Sequence, residues 1–564
     1  MIIGSPGTVV RATAAVVLTA AVLVRIRIYP TLGIHPDEQK RRNTGMRRFA
    51  MVLGCLFSLM WAVLALVRIR YPYELEWSGG AMLDHCHQVL RGLPLYVPPG
   101  SSWFPFEYPP VYFWASAVVM RLIHDDGAVG MRIVSCASTV GCLIVVWLWL
   151  RLLTARVGNQ YWPLLAPGLF LAAYRFTGAW YDIERLDMLF MFLSVLGGYL
   201  LSCGLHKGAT VSADKLPPSR GISFTQTEFT LLSAAVFCVA FLTKQQAVLF
   251  AIGAAGALIV MGNWRQFLLF CTASVIFDYW AVHVIDASTH GWFAYYCFHV
   301  PLANGIRKEL ALQFLLVDMP LVAPAIGLCI VAALAFKVKL TDAIHKIRTE
   351  PCVALFLSQV LMALAGSFLS RAHWGGAENV LIAGYLFVMM AACLCASRLE
   401  ETGKIPGAPL YLLAICQMAV LTYRPDLQLP RAANYAAGSR YSALISELKK
   451  EGEVLCVDHG GFTSPAHFHL MAVTDVFGSE KKTPPSIEAA IRYHRYASIV
   501  TDALPDAEGP LGSLLKEYPS VQRVGIAETW IITGFPTPSP ARPVYVMRPA
   551  KAGINTPVVS PVGQ

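Results

Sequence analysis

The stretch Phe49-Ala-Met-Val-Leu-Gly-Cys-Leu-Phe-Ser-Leu-Met-Trp-Ala-Val-Leu-Ala-Leu-Val67 carries no charge and has the length of a membrane-spanning helix. Lys40, Arg41, Arg42, Arg47 and Arg48 precede it, a basic cluster that assigns its start to the cytoplasm. The chain then crosses outward into Tyr71-Pro-Tyr-Glu-Leu-Glu-Trp77, so Glu74 and Glu76 stand at the outer boundary of the bilayer. Carboxylates are costly at such a boundary unless they bind something, which makes this pair the first candidate for function.

The rest of the chain has the same character. Of its 564 residues, 56% are hydrophobic and 14% charged, and the apolar residues come in blocks of bilayer length. This excludes a soluble globular protein and predicts a polytopic α-helical membrane protein. The net charge of +10 does not point to nucleic acid, because Lys and Arg sit mainly in short loops, as topology signals and lipid-headgroup contacts. Most of the 14 cysteines stand singly inside apolar blocks (Cys55, Cys142, Cys203, Cys238, Cys329), where a thiol packs as a small hydrophobe. Cys393 and Cys395 are two apart, which is not metal spacing, and His467 with His469 supplies only two ligands.

Further spans are predicted at roughly 128–150, 160–177, 187–204, 228–243, 246–262, 266–285, 312–336, 352–370, 380–397 and 408–423. The total is about eleven, or twelve if the short apolar run at 12–24, flanked by Arg11 and Arg25, also inserts. Between 106 and 124 a shorter stretch with an aromatic front predicts a helix lying along the interface. Loops assigned inside carry Arg151 and Arg156; Lys207, Lys215 and Arg220; Arg265; Lys337, Lys339, Lys346 and Arg348; and Arg398 and Lys404. Arg307, Lys308 and Arg371 are exceptions on the outer side. The resulting organisation is a cytoplasmic segment at 1–48, a transmembrane catalytic domain at 49–424 with its first outer loop at 68–127, a small α/β domain on the outer side at 425–548, and a disordered Pro-rich tail at 549–564.

Four outer loops hold the unusual polar residues. The first contains Glu74, Glu76, Arg91-Gly-Leu-Pro-Leu-Tyr96 and Pro105-Phe-Glu-Tyr-Pro-Pro110. The second is Trp180-Tyr-Asp-Ile-Glu-Arg-Leu-Asp187, the third Thr243-Lys-Gln-Gln246, and the fourth Arg371-Ala-His-Trp-Gly-Gly-Ala-Glu-Asn379. Carboxylates can deprotonate a hydroxyl or hold a divalent cation, while Lys and His can neutralise a phosphate. Taken singly, each loop has an ordinary reading: Arg185 with Asp187 as a salt bridge at a helix start, Lys244 as a snorkelling side chain, His373 and Asn379 as loop ties. Their coincidence on one side favours a shared site.

In these loops the chain resembles the GT-C membrane glycosyltransferases, in the bacterial branch related to the lipid A aminoarabinose transferases and the protein O-mannosyltransferases. The resemblance covers about 49–425 and rests on Tyr73-Glu-Leu-Glu-Trp77, Gly92-Leu-Pro-Leu-Tyr96, Glu107-Tyr-Pro-Pro110, Arg185-Leu-Asp187, Thr243-Lys-Gln-Gln246 and Gly375-Gly-Ala-Glu-Asn379. It implies a multi-pass protein of the bacterial inner membrane whose site faces the periplasm or exterior. It also implies a polyprenyl-phosphate-linked sugar as donor, consistent with the absence of a nucleotide-binding fingerprint. Many relatives have Asp in the first-loop pair where this chain has Glu twice.

The expected reaction is sugar transfer to an acceptor hydroxyl of an envelope glycan, lipid or protein, inverting the anomeric centre by direct displacement. Glu74 is the first choice as base, Glu76 the next, with Asp187 orienting acceptor or base. Lys244, His373 and Arg185 are expected at the donor phosphate. Substrate contacts are expected from Tyr73, Trp77, Glu107, Tyr108, Gln245, Glu378 and Asn379. No cofactor is required; a divalent metal, Mg or Mn, held by Glu76 is an alternative source of positive charge. The rival reading is a transporter or flippase of a lipid-linked or anionic substrate, which would place ionisable residues near the midplane on broken helices in two repeated halves. Neither feature is present in the sequence.

Overall fold

A computed structural model describes residues 5–550 except 29–34, 101–102, 156–159, 212–223, 304, 338–348, 374, 462–468 and 534–540, and leaves out the side chains of 27–28 and 209–211. Arg156, Lys215, Arg220, Lys339, Lys346, Arg348, Trp374, His467 and the tail from 551 therefore lie outside the described residues. The membrane region is built from α1 (Pro6–Ile28), α2 (Pro36–Arg68), α3 (Gly79–Leu90), α4 (Val111–Ile123), α5 (Val129–Leu153), α6 (Tyr161–Ala172) and α7 (Asp187–Val211). It continues through α8 (Gln226–Phe241), α9 (Ala247–Val260), α10 (Trp264–Ser288), α11 (Lys308–Ala335), α12 (Pro351–Ala372), α13 (Leu381–Glu401) and α14 (Gly407–Val420).

Among the described residues, α1, α2, α5, α7, α10, α11, α12 and α13 are long and apolar enough to cross a bilayer, eight helices in all. The blocks expected to span at 160–177, 228–243, 246–262 and 408–423 form the shorter helices α6, α8, α9 and α14, of 12, 16, 14 and 14 residues, packed within the same bundle. After α6, a 3-10 turn (Tyr174–Thr177) and Gly178 with φ +82° redirect the backbone into the second loop. The aromatic stretch after Pro110 forms α4.

The run at 12–24, whose insertion the sequence leaves open, is part of a 23-residue helix that is long and apolar enough to cross a bilayer. Ala12, Ala15, Val22 and Ile26 are buried as α1 packs against α11 and α14. Arg11 does not block this packing, because its guanidinium donates to the carbonyls of Val420 (2.9 Å) and Thr422 (2.5 Å). Elsewhere in the bundle, α2 and α6 cross at Gly54 and Gly168, where a Cβ on Gly168 would collide with the Gly54 backbone.

Beyond α14 the chain forms α15 (Ala432–Leu448), β1 (Val454–Cys456), α16 (Leu470–Glu480), α17 (Pro485–Arg492), β2 (Ser498–Thr501), β3 (Ser520–Arg523) and β4 (Tyr545–Arg548). The strands make one sheet in the order β1-β2-β4-β3. β1 and β2 are parallel, with Val454 opposite Ser498, and α16 and α17 supply the crossover that parallel neighbours require. β4 runs antiparallel to both β2 and β3. Periodicity did not reveal α16 or the exposed β3. The sheet does not pack alone: Phe104, Phe106, Tyr112 and Phe113 of the first loop share one hydrophobic core with Leu455, Val473, Ile487 and Ile499. This joint core fixes the domain against one end of the bundle.

Candidate active site

The first loop is held from below by buried charges. Arg132, on α5, bonds Glu184 through Nε at 2.6 Å, and both side chains are fully buried. Its guanidinium also donates to the carbonyls of Tyr71 (2.5 Å) and Tyr73 (2.6 Å). Glu184 uses its other oxygen to accept from the Leu75 amide at 2.9 Å. Arg68 and Asp182 form a second buried pair at 3.3 Å. Each ion is therefore compensated by charge and by hydrogen bonds, as burial demands.

From above, the loop is clamped by the C-terminal domain. Glu74 Oε1 accepts from the Gly80 amide (3.0 Å), and Oε2 accepts from His459 Nδ1 (2.8 Å) and Trp530 Nε1 (3.1 Å). His459 Nε2 bonds Asp502 at 3.0 Å. Gly80 must be glycine here, because a Cβ would run into Glu74 and the Gly460 carbonyl. Burial alone would depress the His459 imidazolium, but the charges of Asp502 and Glu74 outweigh it and push His459 well above its ordinary value. Tyr71 Oη donates to the Trp530 carbonyl at 2.6 Å, and the Thr533 amide to that of Leu75 at 2.9 Å. Tyr73, expected among the substrate contacts, bonds Ser439 at 3.1 Å across this contact.

The four loops do converge at this end. Arg185 donates to Ser78 Oγ (2.5 Å) and Tyr108 Oη (3.1 Å), with Glu76 3.8 Å away. Asp187 accepts from Lys244 (2.7 Å) and Asn379 (2.9 Å), tying the second, third and fourth loops together. Gln245 donates to the Glu107 carbonyl at 2.6 Å and that of Cys297 at 2.8 Å, fixing the Glu-Tyr-Pro-Pro turn. Arg185, Asp187, Lys244, Gln245 and Asn379 are thus positioning residues in this geometry.

Between the bundle end and the sheet domain lies a cavity of about 1210 Å³. Its wall includes Trp77, Glu107, Tyr108 and Glu378 among the residues singled out from sequence, but not Glu74, Glu76, Asp187, Lys244 or His373. The base role expected of Glu74 is corrected on that ground: three donors and burial inside the clamp keep it from the open space. Lys244 is paired with Asp187, His373 sits in a backbone bridge with Ile306, and neither lines the cavity. Positive charge comes instead from Arg11, Arg175, Arg307, Arg371 and Arg424 on the bundle side. Arg175 is paired with Glu378 at 3.2 Å and Arg371 with Asp318 at 2.9 Å, which aims both guanidinium groups. Glu107 and Asp475 are among the carboxylates that line the same cavity.

Glu76 does not suit a divalent cation. Its Oε2 accepts from the Ser78 amide and hydroxyl, and a guanidinium stands beside it. Among the described residues, no three His, Cys, Asp or Glu side chains gather at metal-binding distance. His469 caps α16 by accepting from the Met471 amide at 3.1 Å, and burial pushes it down to about 3, which keeps it neutral. The functional groups that sequence reasoning missed are His459, Asp502, Trp530, Asp475, Arg132 and the arginines of the cavity. Asp458-His-Gly-Gly461 carried the only visible signal, a histidine ahead of two glycines at a strand end.

No family model and no curated protein matches the chain. Among solved structures, ArnT from Cupriavidus metallidurans bound to undecaprenyl phosphate superimposes with a TM-score of 0.55 at 14% identity, covering 89% of this chain and 99% of that one. The same protein in the apo state gives 0.48 at 16% identity, over 87% and 97%. The Archaeoglobus fulgidus oligosaccharyltransferase in the apo form gives 0.44 at 11%, over 79% and 69%. The chain therefore shares the fold of ArnT.

Proposed function

We propose that this chain is a membrane glycosyltransferase that moves a sugar from a polyprenyl-phosphate donor to an acceptor hydroxyl, with the site on the outer face of the membrane. The observation that carries this reading is the cavity, whose lining brings five arginines together with carboxylates that include Glu107 and Asp475. A displacement at an anomeric carbon needs both kinds of group. Cationic groups receive the departing phosphate, and a carboxylate takes the acceptor proton. Arg175 and Arg371 are the phosphate partners, held in aim by Glu378 and Asp318.

The fold supports the donor class, since the protein whose fold this chain shares was solved with undecaprenyl phosphate. The membrane location follows from that donor, because a polyprenyl tail stays in the bilayer and the phosphate must be met at its surface. Direct displacement inverts the anomeric centre and needs no nucleophilic side chain. The acceptor is an envelope glycan, lipid or protein. The test is to incubate the purified protein in nanodiscs with a panel of labelled polyprenyl-phosphate sugars and envelope acceptors. Transfer of label with release of polyprenyl phosphate is expected. Label that stays on every donor, or movement across proteoliposomes without a new glycosidic bond, would overturn the reading in favour of transport or of a non-enzymatic role.

A further inference from the structure

Among the described residues, the sheet domain gives the cavity wall four aspartates, Asp458, Asp475, Asp502 and Asp506, and no Lys or Arg. The five lining arginines all precede it in the chain. This part of the wall lies where an α/β sheet ordinarily takes a ligand, in the crevice beyond the carboxyl ends of its parallel strands. β1 and β2 are parallel, and the residues that follow them, Val457-Asp458 and Asp502-Ala503, line the cavity. Two of the aspartates are engaged within the domain. Asp458 accepts from Thr501 Oγ1 (3.0 Å) and the Asp502 amide (2.8 Å), and Asp502 accepts from His459 (3.0 Å). Asp506 is exposed. Asp475, on α16, differs from all three: it is only 9% exposed and lines the cavity, yet it has no hydrogen-bond or ion-pair partner among the described residues. A buried carboxylate without donors is strongly disfavoured, and a ligand that brings donors relieves the cost.

We propose that the sheet-domain part of the cavity is the subsite for the transferred sugar, in which Asp475 accepts hydrogen bonds from the sugar hydroxyls and the aspartate wall excludes a sugar acid. This rests on the transfer reading above. With the donor phosphate at Arg175 and Arg371, the sugar is one bond away and must lie in the same cavity. A sugar ring offers several O–H donors, which a partnerless carboxylate needs. Leu470, Met471 and Leu511 line the same part of the wall and match the C–H face of a ring. A sugar acid would instead set another carboxylate against four aspartates, a like-charge contact that no cation of the domain offsets. The titration of the free site agrees. Burial, and after it the charge of Glu107, hold Asp475 well above its ordinary value, and bound hydroxyl donors would bring it down.

The test compares the binding of two lipids to the full-length protein in nanodiscs. One is bare undecaprenyl phosphate; the other is undecaprenyl phosphate carrying the tightest-binding neutral sugar of the panel. Asp475→Leu, of similar size but without acceptors, should weaken the sugar-bearing lipid about ten- to a hundredfold, the worth of a hydrogen bond to a charged group. Asp475→Asn keeps one acceptor and should lose less. In both variants bare undecaprenyl phosphate should bind as it does to the wild type. Both should also melt at or above the wild type, because each removes a partnerless carboxylate from a buried position. A lower Tm in both would reveal a partner within the protein and overturn the proposal. Equal losses for the two lipids, no loss for either, or tighter binding of a hexuronate-bearing lipid than of the neutral one would overturn it as well. Selective loss of sugar-lipid binding, with no transfer of label from any donor, would keep the subsite and overturn the enzymatic reading instead.

Discussion

Replacing His459 by alanine removes the cation between Glu74 and Asp502 while leaving both carboxylates buried. Glu74 keeps Gly80 and Trp530 as donors but loses its charge partner. Breaking a buried pair by deleting one member costs about 3–5 kcal/mol, because an uncompensated charge stays behind. At 1.4 kcal/mol per tenfold, the equilibrium between clamped and released loop should shift by about two to three and a half powers of ten. The Gly80 amide, bonded to Glu74, and the Thr533 amide, bonded to Leu75, report that opening directly. Hydrogen exchange of peptides covering 73–82 and 528–533 should therefore accelerate by that factor, while peptides from α5 and α7 stay protected. Exchange at both reporters within about threefold of the wild type would refute the idea that this imidazolium holds the two regions together.

Three other outcomes follow from the geometry. Since His459 titrates above its unfolded value of 6.5, its stabilising contribution is fully present below that pH and is lost as pH rises through the folded value; the same reporter peptides should lose protection on the alkaline side, and in His459→Gln that pH dependence should disappear. Gly168→Val should lower stability by about 1–3 kcal/mol or prevent assembly, because the new methyl groups meet the Gly54 backbone; thermal melting in detergent measures this, and an unchanged Tm would contradict the crossing described. Arg175→Ala should raise the donor KM about ten- to a hundredfold, the worth of a hydrogen bond to a charged group, with a smaller change in kcat; an unaltered KM would remove Arg175 from the phosphate site.

The helical framework was legible because uncharged runs of bilayer length have one inexpensive solution, and basic loops fix their direction. The convergence of Glu76, Arg185, Asp187, Lys244 and Asn379 was legible for the same reason: counting crossings puts their loops at one end. α1 was obscured because Arg11 and Arg25 bracket a run that looks too short, and the carbonyls that accept from Arg11 lie at Val420 and Thr422. The role of Glu74 was hidden differently. Its partner His459 stands 385 residues away, and no local spacing links them. Asp475 was invisible because α16 gives no periodic signal that marks one acid as unpartnered. Of the cavity arginines, Arg307 and Arg371 stand out in the sequence only as exceptions to the charge pattern, and the others read as ordinary helix flanks until the sheet domain closes over them.

The joint core of the first loop and the C-terminal domain has a consequence for biosynthesis. At roughly 5–20 residues per second, the ribosome needs about 20–80 s to travel the 385 residues between Glu74 and His459. For most of that interval the newly made loop holds Phe104, Phe106, Tyr112 and Phe113 while Leu455, Val473, Ile487 and Ile499 of their shared core are still untranslated. Each nascent chain must be shielded for that time, whether by headgroups, by the insertion machinery or by a chaperone.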